Sequence, residues 1–190
     1  GINAWYAKAD RLKKALLTNV KVMMKRVNTL NEVAVKDPLT GVNNRLGFSN
    51  KTKDYTQGSG ASVIAIDVDF FKKINDFFGH GVGDEVLISL AHAINSCCRS
   101  EDIVCRFGGE EFVIFLPNTS VVTAERIAER IRSVIESSVF TNDLRVTISA
   151  GVATQTDPLS GIDFLLKNAD DALYQAKGEG RNKVVVYSAI

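Results

Sequence analysis

The stretch Ser62 to Val68, SVIAIDV, constrains the fold more than any other part of the chain. Side chains alternate across a strand, and here both faces are apolar until Asp67. A strand of that kind cannot lie on a surface, because each face needs cover. It predicts the central strand of a sheet with further layers packed on it.

The neighbouring segments supply those layers. Phe70 to Phe78 reads as a helix stopped by Gly79. Gly83-Asp84 opens a longer helix to about Cys98, with Val86, Leu87, Leu90, Ala91 and Ile94 turned inward. Val121 to Ser137 is amphipathic, and Ile162 to Lys177 forms a helix ended by Gly178. Asn43 or Asn44 caps a helix that runs to about Thr56, and Gly58-Ser59-Gly60 follows as a loop. Further strands are expected at Ile103 to Phe107, Glu110 to Leu116, Leu144 to Ala153 and Lys183 to Tyr187. The link Gly108-Gly109 fits a tight hairpin turn, since glycine accepts the positive φ such turns demand. βα crossovers combined with an antiparallel hairpin give an α+β (mixed α/β) class, a central sheet flanked by helices.

Residues 2 to about 35 form one long helix. Ile2, Ala9, Leu16, Met23 and Leu30 fall seven apart, and Tyr6, Lys13, Val20, Val27 and Ala34 form the adjoining seam. This is a heptad stripe. It reads as a coiled coil rather than a helix packed on its own domain, because the stripe is narrow and its flanks carry Lys, Arg and Asn. Ala9 and Lys13 weaken the zipper, which suits a signalling helix. Asp37-Pro38 breaks the helix. The expected division is a signalling helix over 1–36 and a catalytic domain over 37–190.

Bulk composition narrows the function classes. Of 190 residues, 45% are apolar and 24% charged, as in soluble globular proteins. A net charge of +1 gives no general attraction to nucleic acid or membrane, so an anionic ligand must be gripped locally. Cys97, Cys98 and Cys105 are odd in number and lack metal-ligand spacing, which points to free thiols in a reducing, cytoplasmic compartment. No apolar run is long enough to span a bilayer. The abrupt helical start suits the cytoplasmic part of a larger, membrane-anchored protein with an upstream sensor.

The chemistry gathers around carboxylates. Asp67 ends an apolar strand, where an unpaired carboxylate is costly. Glu110 and Glu111 start another strand. Two strands that bring carboxylates to one end of a sheet can hold Mg²⁺, which takes few protein carboxylates and fills its shell with phosphate and water. Taken alone, a solvated hairpin tip explains the glutamates equally well. Phe70, Phe71 and Lys72 follow the first carboxylate strand, where helix-start amides make a phosphate cradle. KGEGRN places Lys177 and Arg181 around two glycines as a second phosphate grip. Lys177 also reads as a last-turn lysine opposing the helix dipole.

Four segments carry a family resemblance. RFGGEEF resembles the signature of the GGDEF family, with glutamate at the third position. DPLTGVNNR, IDVDFFKKINDFFGHGVGD and KGEGRNKV resemble the family's lead-in, metal-and-guanine and C-terminal phosphate segments. They occur in family order from Asp37 to Tyr187, with Val42 and Asn43 as mild variations. The resemblance implies a diguanylate cyclase, which joins two GTP into cyclic di-GMP and releases two pyrophosphates. It also implies a fold like the nucleotidyl cyclase and polymerase palm. By the same resemblance Asp67, the Val68 carbonyl and Glu110 are ligands of Mg²⁺, or of Mn²⁺ in its place. Glu110 or Glu111 takes the proton of the attacking hydroxyl. Asn75 and Asp84 read guanine, Lys72, Lys177, Arg181 and the amides of Phe70 and Phe71 hold phosphate, and Lys72 is also catalytic, stabilising charge on the transferring phosphate.

Arg99-Ser100-Glu101-Asp102, five residues before Gly108-Gly109, resembles the family's inhibitory product site, with Arg130 as a secondary arginine. The plain alternative is a charged turn. One domain holds one GTP while the product contains two GMP units, so a homodimer with facing half-sites is implied. The alternative function is a non-catalytic cyclic di-GMP receptor of the same fold. A cyclase making a hybrid dinucleotide is disfavoured by Asp84, which matches guanine's donor pair.

Overall fold

The structure, a computed structural model, describes residues 1–55, 60–157 and 159–188. The expected loop at Gly58 and Ser59 and the expected helix end at Thr56 lie outside the described residues.

Ser62–Val68 is strand β1, buried along its whole length. It pairs antiparallel with β3 (Glu111–Leu116) on one side and β4 (Ile148–Thr154) on the other. Strand β2 (Ile103–Gly108) extends the sheet beyond β3, and β5 (Val184–Val186) lies parallel to β4. The order is β2-β3-β1-β4-β5, so β1 is central, as its two apolar faces require.

The alternation of β1 assigns its faces. Ile64, Ile66 and Val68 join the larger core with Leu87, Leu90 and Ile94 of α4 (His80–Cys97) and Ile131 and Ile135 of α5 (Val121–Ser137). Val63 and Ala65 join the second core with Phe48 of α2 (Arg45–Thr52) and Leu165, Ala169 and Leu173 of α6 (Ile162–Gly178). Asp67 therefore belongs to the α6 face by parity. Ile64 and Ile66 are almost fully buried, and truncating either to alanine should cost about 2–5 kcal/mol.

Helix α1 (Ile2–Ala34) has no buried residue. Its end is tied to the domain by Asn44, whose Nδ2 donates to the Ala34 carbonyl at 2.8 Å and the Lys36 carbonyl at 3.3 Å. The Asn44 Oδ1 accepts from the Gly47 amide, so Asn44 is the cap of α2. Asn43 instead donates to the Val104 carbonyl at 2.9 Å and ties the lead-in segment to β2.

Several boundaries differ from the sequence reading. Helix α2 ends at Thr52, short of Thr56. Helix α3 (Phe71–Phe78) starts one residue late, because Phe70 sits at φ 55° as its cap. Helix α4 starts at His80, so Gly83 and Asp84 lie within it; the Gly83 amide already donates to the Gly79 carbonyl at 3.2 Å. Helix α6 runs on through Gly178. Strand β4 starts at Ile148 rather than Leu144, and a 3₁₀ turn at Thr141–Asp143 precedes it. Strand β5 is only Val184–Val186. The hairpin tip is Gly109-Glu110, not Gly108-Gly109: Gly108 pairs with Glu111, with a register shift after Arg106. Gly109 supplies the positive φ, 37°, and Glu110 leaves the strand for the turn. All three cysteines are free thiols, and burial pushes Cys98 and Cys105 up to about 12.

Candidate functional site

At one end of β1 the strand's last carboxylate meets the end of α6. Asp67 is 7% exposed, and Lys177 places its Nζ 2.9 Å from the Asp67 Oδ2. The lysine is thus more than a helix-end charge. Burial raises the Asp67 pKa; Lys177 opposes that shift, while the nearby carboxylates of Glu110 and Asp69 add to it. A buried carboxylate crowded by two others fits a hard cation. The Val68 amide donates to the Glu110 carbonyl at 3.3 Å, so the hairpin tip lies against the end of β1. Asp67, Val68 and Glu110 meet there. Among the described residues no group of three or more His, Cys, Asp or Glu side chains could hold a metal by itself. Two carboxylates and a carbonyl fit Mg²⁺ only together with ligand oxygens or water.

Glu111 shares a face with Asp67 but lies in the strand rather than the turn. It is the cross-strand partner of Asp67, on the α6 face, and lines a cleft with Arg45, Phe107, Asp170, Tyr174 and Lys177. Burial raises the pKa of Asp170 there, and the Glu111 charge raises it further. The two glutamates therefore address different neighbours, because Glu110 sits in the turn and Glu111 in the strand.

The hairpin tip is pinned from behind by a residue the sequence reading missed. The Arg106 Nε donates to the Gly109 carbonyl at 2.9 Å, and its Nη1 pairs with Asp37 at 3.2 Å. Asp37 also accepts from the Thr40 amide and hydroxyl, at 2.9 and 2.6 Å. Burial alone would raise the Asp37 pKa, but Thr40 and Arg106 together hold it below the ordinary range. An arginine just before a glycine turn, with an aspartate and threonine in the lead-in segment, was the available signal.

The phosphate candidates gather beside the carboxylates. The first α3 amides bonded to the chain's own backbone are those of Lys73 and Ile74, which donate to the Phe70 carbonyl. The Phe70 and Phe71 amides precede them at the helix start, where donors lack intrahelical partners. Lys72 is exposed on the first turn. The Arg181 guanidinium lies 4.9 Å from the Phe70 ring centroid, and Lys73, another cation not singled out earlier, lies 4.8 Å from the same ring. Asp69 accepts from Thr147 Oγ1 at 2.8 Å, Ser149 Oγ at 2.6 Å and the Asn182 amide at 3.0 Å. With both oxygens engaged by protein donors, it is a structural anchor.

Asn75 on α3 and Asp84 on α4 are brought near each other by helix packing. The Asn75 Oδ1 is buried without a hydrogen-bond partner, and it packs so closely on Gly83 that a Cβ there would lie 1.9 Å away. Asp84, the next residue, is exposed.

A second cluster forms where α4 ends. The Arg99 amide donates to the Asp102 Oδ2 at 2.7 Å, and the exposed Arg99 side chain reaches Glu101 at 3.8 Å. Arg130 on α5 donates to the Cys97 carbonyl. Burial raises the Asp102 pKa, with Arg99 and Arg130 pulling against it; its Oδ1 is buried and unpaired. All three residues lie together, away from the carboxylate end.

The family described as "Diguanylate cyclase, GGDEF domain" matches residues 34–183. Response regulator PleD of Caulobacter vibrioides is 46% identical over 81% of this chain and 36% of its own length. Diguanylate cyclase DgcM of Escherichia coli is 40% identical over 93% of this chain and 44% of its own. The chain thus spans less than half the length of either relative. Among solved structures, the coiled coil and GGDEF domain of DgcB from Caulobacter crescentus, in complex with c-di-GMP, superposes with a TM-score of 0.83 at 25% identity, covering 93% of this chain and 97% of that one.

Proposed function

Because the chain belongs to the GGDEF-domain family of diguanylate cyclases, we propose that it condenses two GTP into cyclic di-GMP. The observation that carries this reading is the Asp67–Lys177 contact beside the Gly109-Glu110 tip, where carboxylates for a cation and cations for phosphate stand together. The 3′-hydroxyl oxygen of one GTP attacks the α-phosphorus of the other. The bond from that phosphorus to the α–β bridging oxygen breaks, and pyrophosphate leaves. A second, reciprocal attack closes the ring and releases the second pyrophosphate.

Asp67, the Val68 carbonyl and Glu110 would hold Mg²⁺ or Mn²⁺, which supplies positive charge to the reacting phosphate. Lys72, the Phe70 and Phe71 amides and Arg181 bind the triphosphate. With a cation held at Asp67, Lys177 would be free to pair with a phosphate oxygen. Asn75 and Asp84 select guanine, whose N–H donors pair with the exposed Asp84 carboxylate while the Asn75 amide reads the purine edge. Glu110 or Glu111 accepts the hydroxyl proton.

Each domain carries one such half-site, so the working species is a homodimer. The solvent-facing stripe on α1, with Ile2, Leu16, Met23 and Leu30 all more than 60% exposed, supports pairing through a coiled coil. In this reading residues 1–36 transmit a signal to a catalytic domain at 37–190. Arg99, Asp102 and Arg130 form an inhibitory product site; the similar DgcB structure in complex with c-di-GMP supports product binding. No helix among the described residues is long and apolar enough to cross a membrane.

The test is incubation with GTP and Mg²⁺ followed by mass spectrometry. Cyclic di-GMP with two pyrophosphates per product is expected. Tight cyclic di-GMP binding without turnover would establish the receptor alternative instead, and a mixed dinucleotide from GTP and ATP would establish hybrid synthesis.

A further inference from the structure

Arg132 on α5 lies outside every segment that suggested the site, yet its side chain is only 15% exposed. Its guanidinium forms a fork. Nε and Nη2 donate to Glu129, at 3.0 and 2.6 Å to Oε1. Nη1 donates to Glu136 Oε2 at 2.7 Å and to Asn182 Oδ1 at 2.8 Å. Asn182 returns a bond from its Nδ2 to Glu136 Oε1 at 2.7 Å. Both ends of the Asn182 amide are thus held by α5. Its backbone amide reaches the other way and donates to Asp69 Oδ2, next to Phe70 and two residues after Asp67.

The backbone gives the reason for such a clamp. Arg181 and Asn182 both adopt left-handed conformations, at φ 66° and 45°. Asparagine visits that region readily, whereas arginine does not. Such a conformation persists only where the surroundings over-determine it. The Arg181 amide contributes a bond to the Ala176 carbonyl at 3.0 Å, and Asn182 supplies the rest through α5 and Asp69. The outcome is that the Arg181 guanidinium is aimed over Phe70 at the start of α3.

We propose that Arg132 is a positioning residue: by clamping Asn182 it fixes the turn that presents Arg181 to the substrate's triphosphate. The inference rests on the GTP-binding reading above. Arg132 touches no substrate, and its influence passes through Asn182 and Arg181. Glu136 shares the clamp, and Glu129 orients the guanidinium from the opposite side. The ordinary view of Glu129, Arg132 and Glu136 as helix-surface ion pairs at three- and four-residue spacing gives them no effect on ligand binding.

The experiment is a double-mutant cycle read by calorimetry with Mg²⁺ and 3′-deoxy-GTP, which lacks the attacking hydroxyl and cannot be consumed. Arg132→Met should weaken binding about tenfold, and Arg181→Ala by at least as much, as expected for lost charge-assisted contacts. In the double variant the Arg132 substitution should add nothing, because its route of action is gone. Arg132→Lys keeps one donor for Asn182 and should recover part of the loss. Guanosine, which lacks phosphates, should bind wild type and Arg132→Met equally. Thermal melts confirm that each variant is folded. Wild-type affinity in Arg132→Met, or a full additional loss on the Arg181→Ala background, overturns the positioning role while wild-type binding leaves the functional reading intact. Absence of binding by the wild type would overturn both.

Discussion

Gly83→Ala tests the guanine pocket without touching a group that contacts substrate. An added Cβ would lie 1.9 Å from Asn75 Oδ1, 3.0 Å from its Cγ and 3.2 Å from the Phe71 ring. The first distance is impossible and the last is merely tight. The obstructing atom is the end of a side chain, so Asn75 must rotate away while the backbone stays. Gly83 is helical, and alanine there gains about 1 kcal/mol of helix propensity. Pushing Asn75 off its rotamer costs about 0.5–1.5 kcal/mol. These effects nearly cancel, so the melting temperature should move by only a few degrees. Binding behaves differently, because the displaced amide loses its guanine hydrogen bonds at about 0.5–1.5 kcal/mol each. We expect kcat/KM for GTP to fall about tenfold, with selection over ATP reduced. Steady-state kinetics on both nucleotides, paired with thermal melts, is the assay. A folded variant with unchanged discrimination between GTP and ATP would refute the placement of Asn75 as a guanine reader.

Further expectations follow from the same geometry. Glu110→Ala should abolish synthesis while preserving the fold, since Glu110 sits in a turn and little packing depends on it; near-normal GTP turnover would remove it from the metal set. Deleting residues 1–35 should lower activity and make the rate rise more steeply than linearly with protein concentration; an equally active trimmed chain, strictly linear in concentration, would exclude the helix as the dimerising element. Arg99→Ala should weaken cyclic di-GMP binding by roughly 1.5–3 kcal/mol and relieve inhibition, read by calorimetry and progress curves; equal affinity in both proteins would dismiss the inhibitory site. The lowered Asp37 pKa fixes a sign: its stabilisation is complete above the unfolded carboxylate value of about 4 and is lost as pH falls through the folded value. Urea unfolding between pH 5 and 2 should therefore show a steeper acid loss in wild type than in Asp37→Asn, and parallel curves would contradict it.

The sequence by itself determined the central strand, the need for layers on both its faces and, through its motifs, the family. SVIAIDV is apolar on both faces, and only a covered strand tolerates that. Motifs close in the chain, such as Asp67 with Phe70 to Lys72, carry their geometry locally, because strand and helix periods fix where side chains fall. Turn and helix boundaries were legible only approximately. Gly108 and Gly109 look interchangeable in the sequence, and cross-strand register, a property of two strands together, put the tip at Gly109-Glu110 and separated Glu110 from Glu111. Tertiary structure alone joined residues far apart along the chain. Lys177 reaches Asp67, Arg106 joins Asp37 to the Gly109 carbonyl, and Arg132 grips Asn182, which caps Asp69. Charged and amide side chains carry no periodic signal of their partners. Their partners are fixed only when packing of the apolar faces brings the helices to the sheet and leaves buried polar groups that must be satisfied.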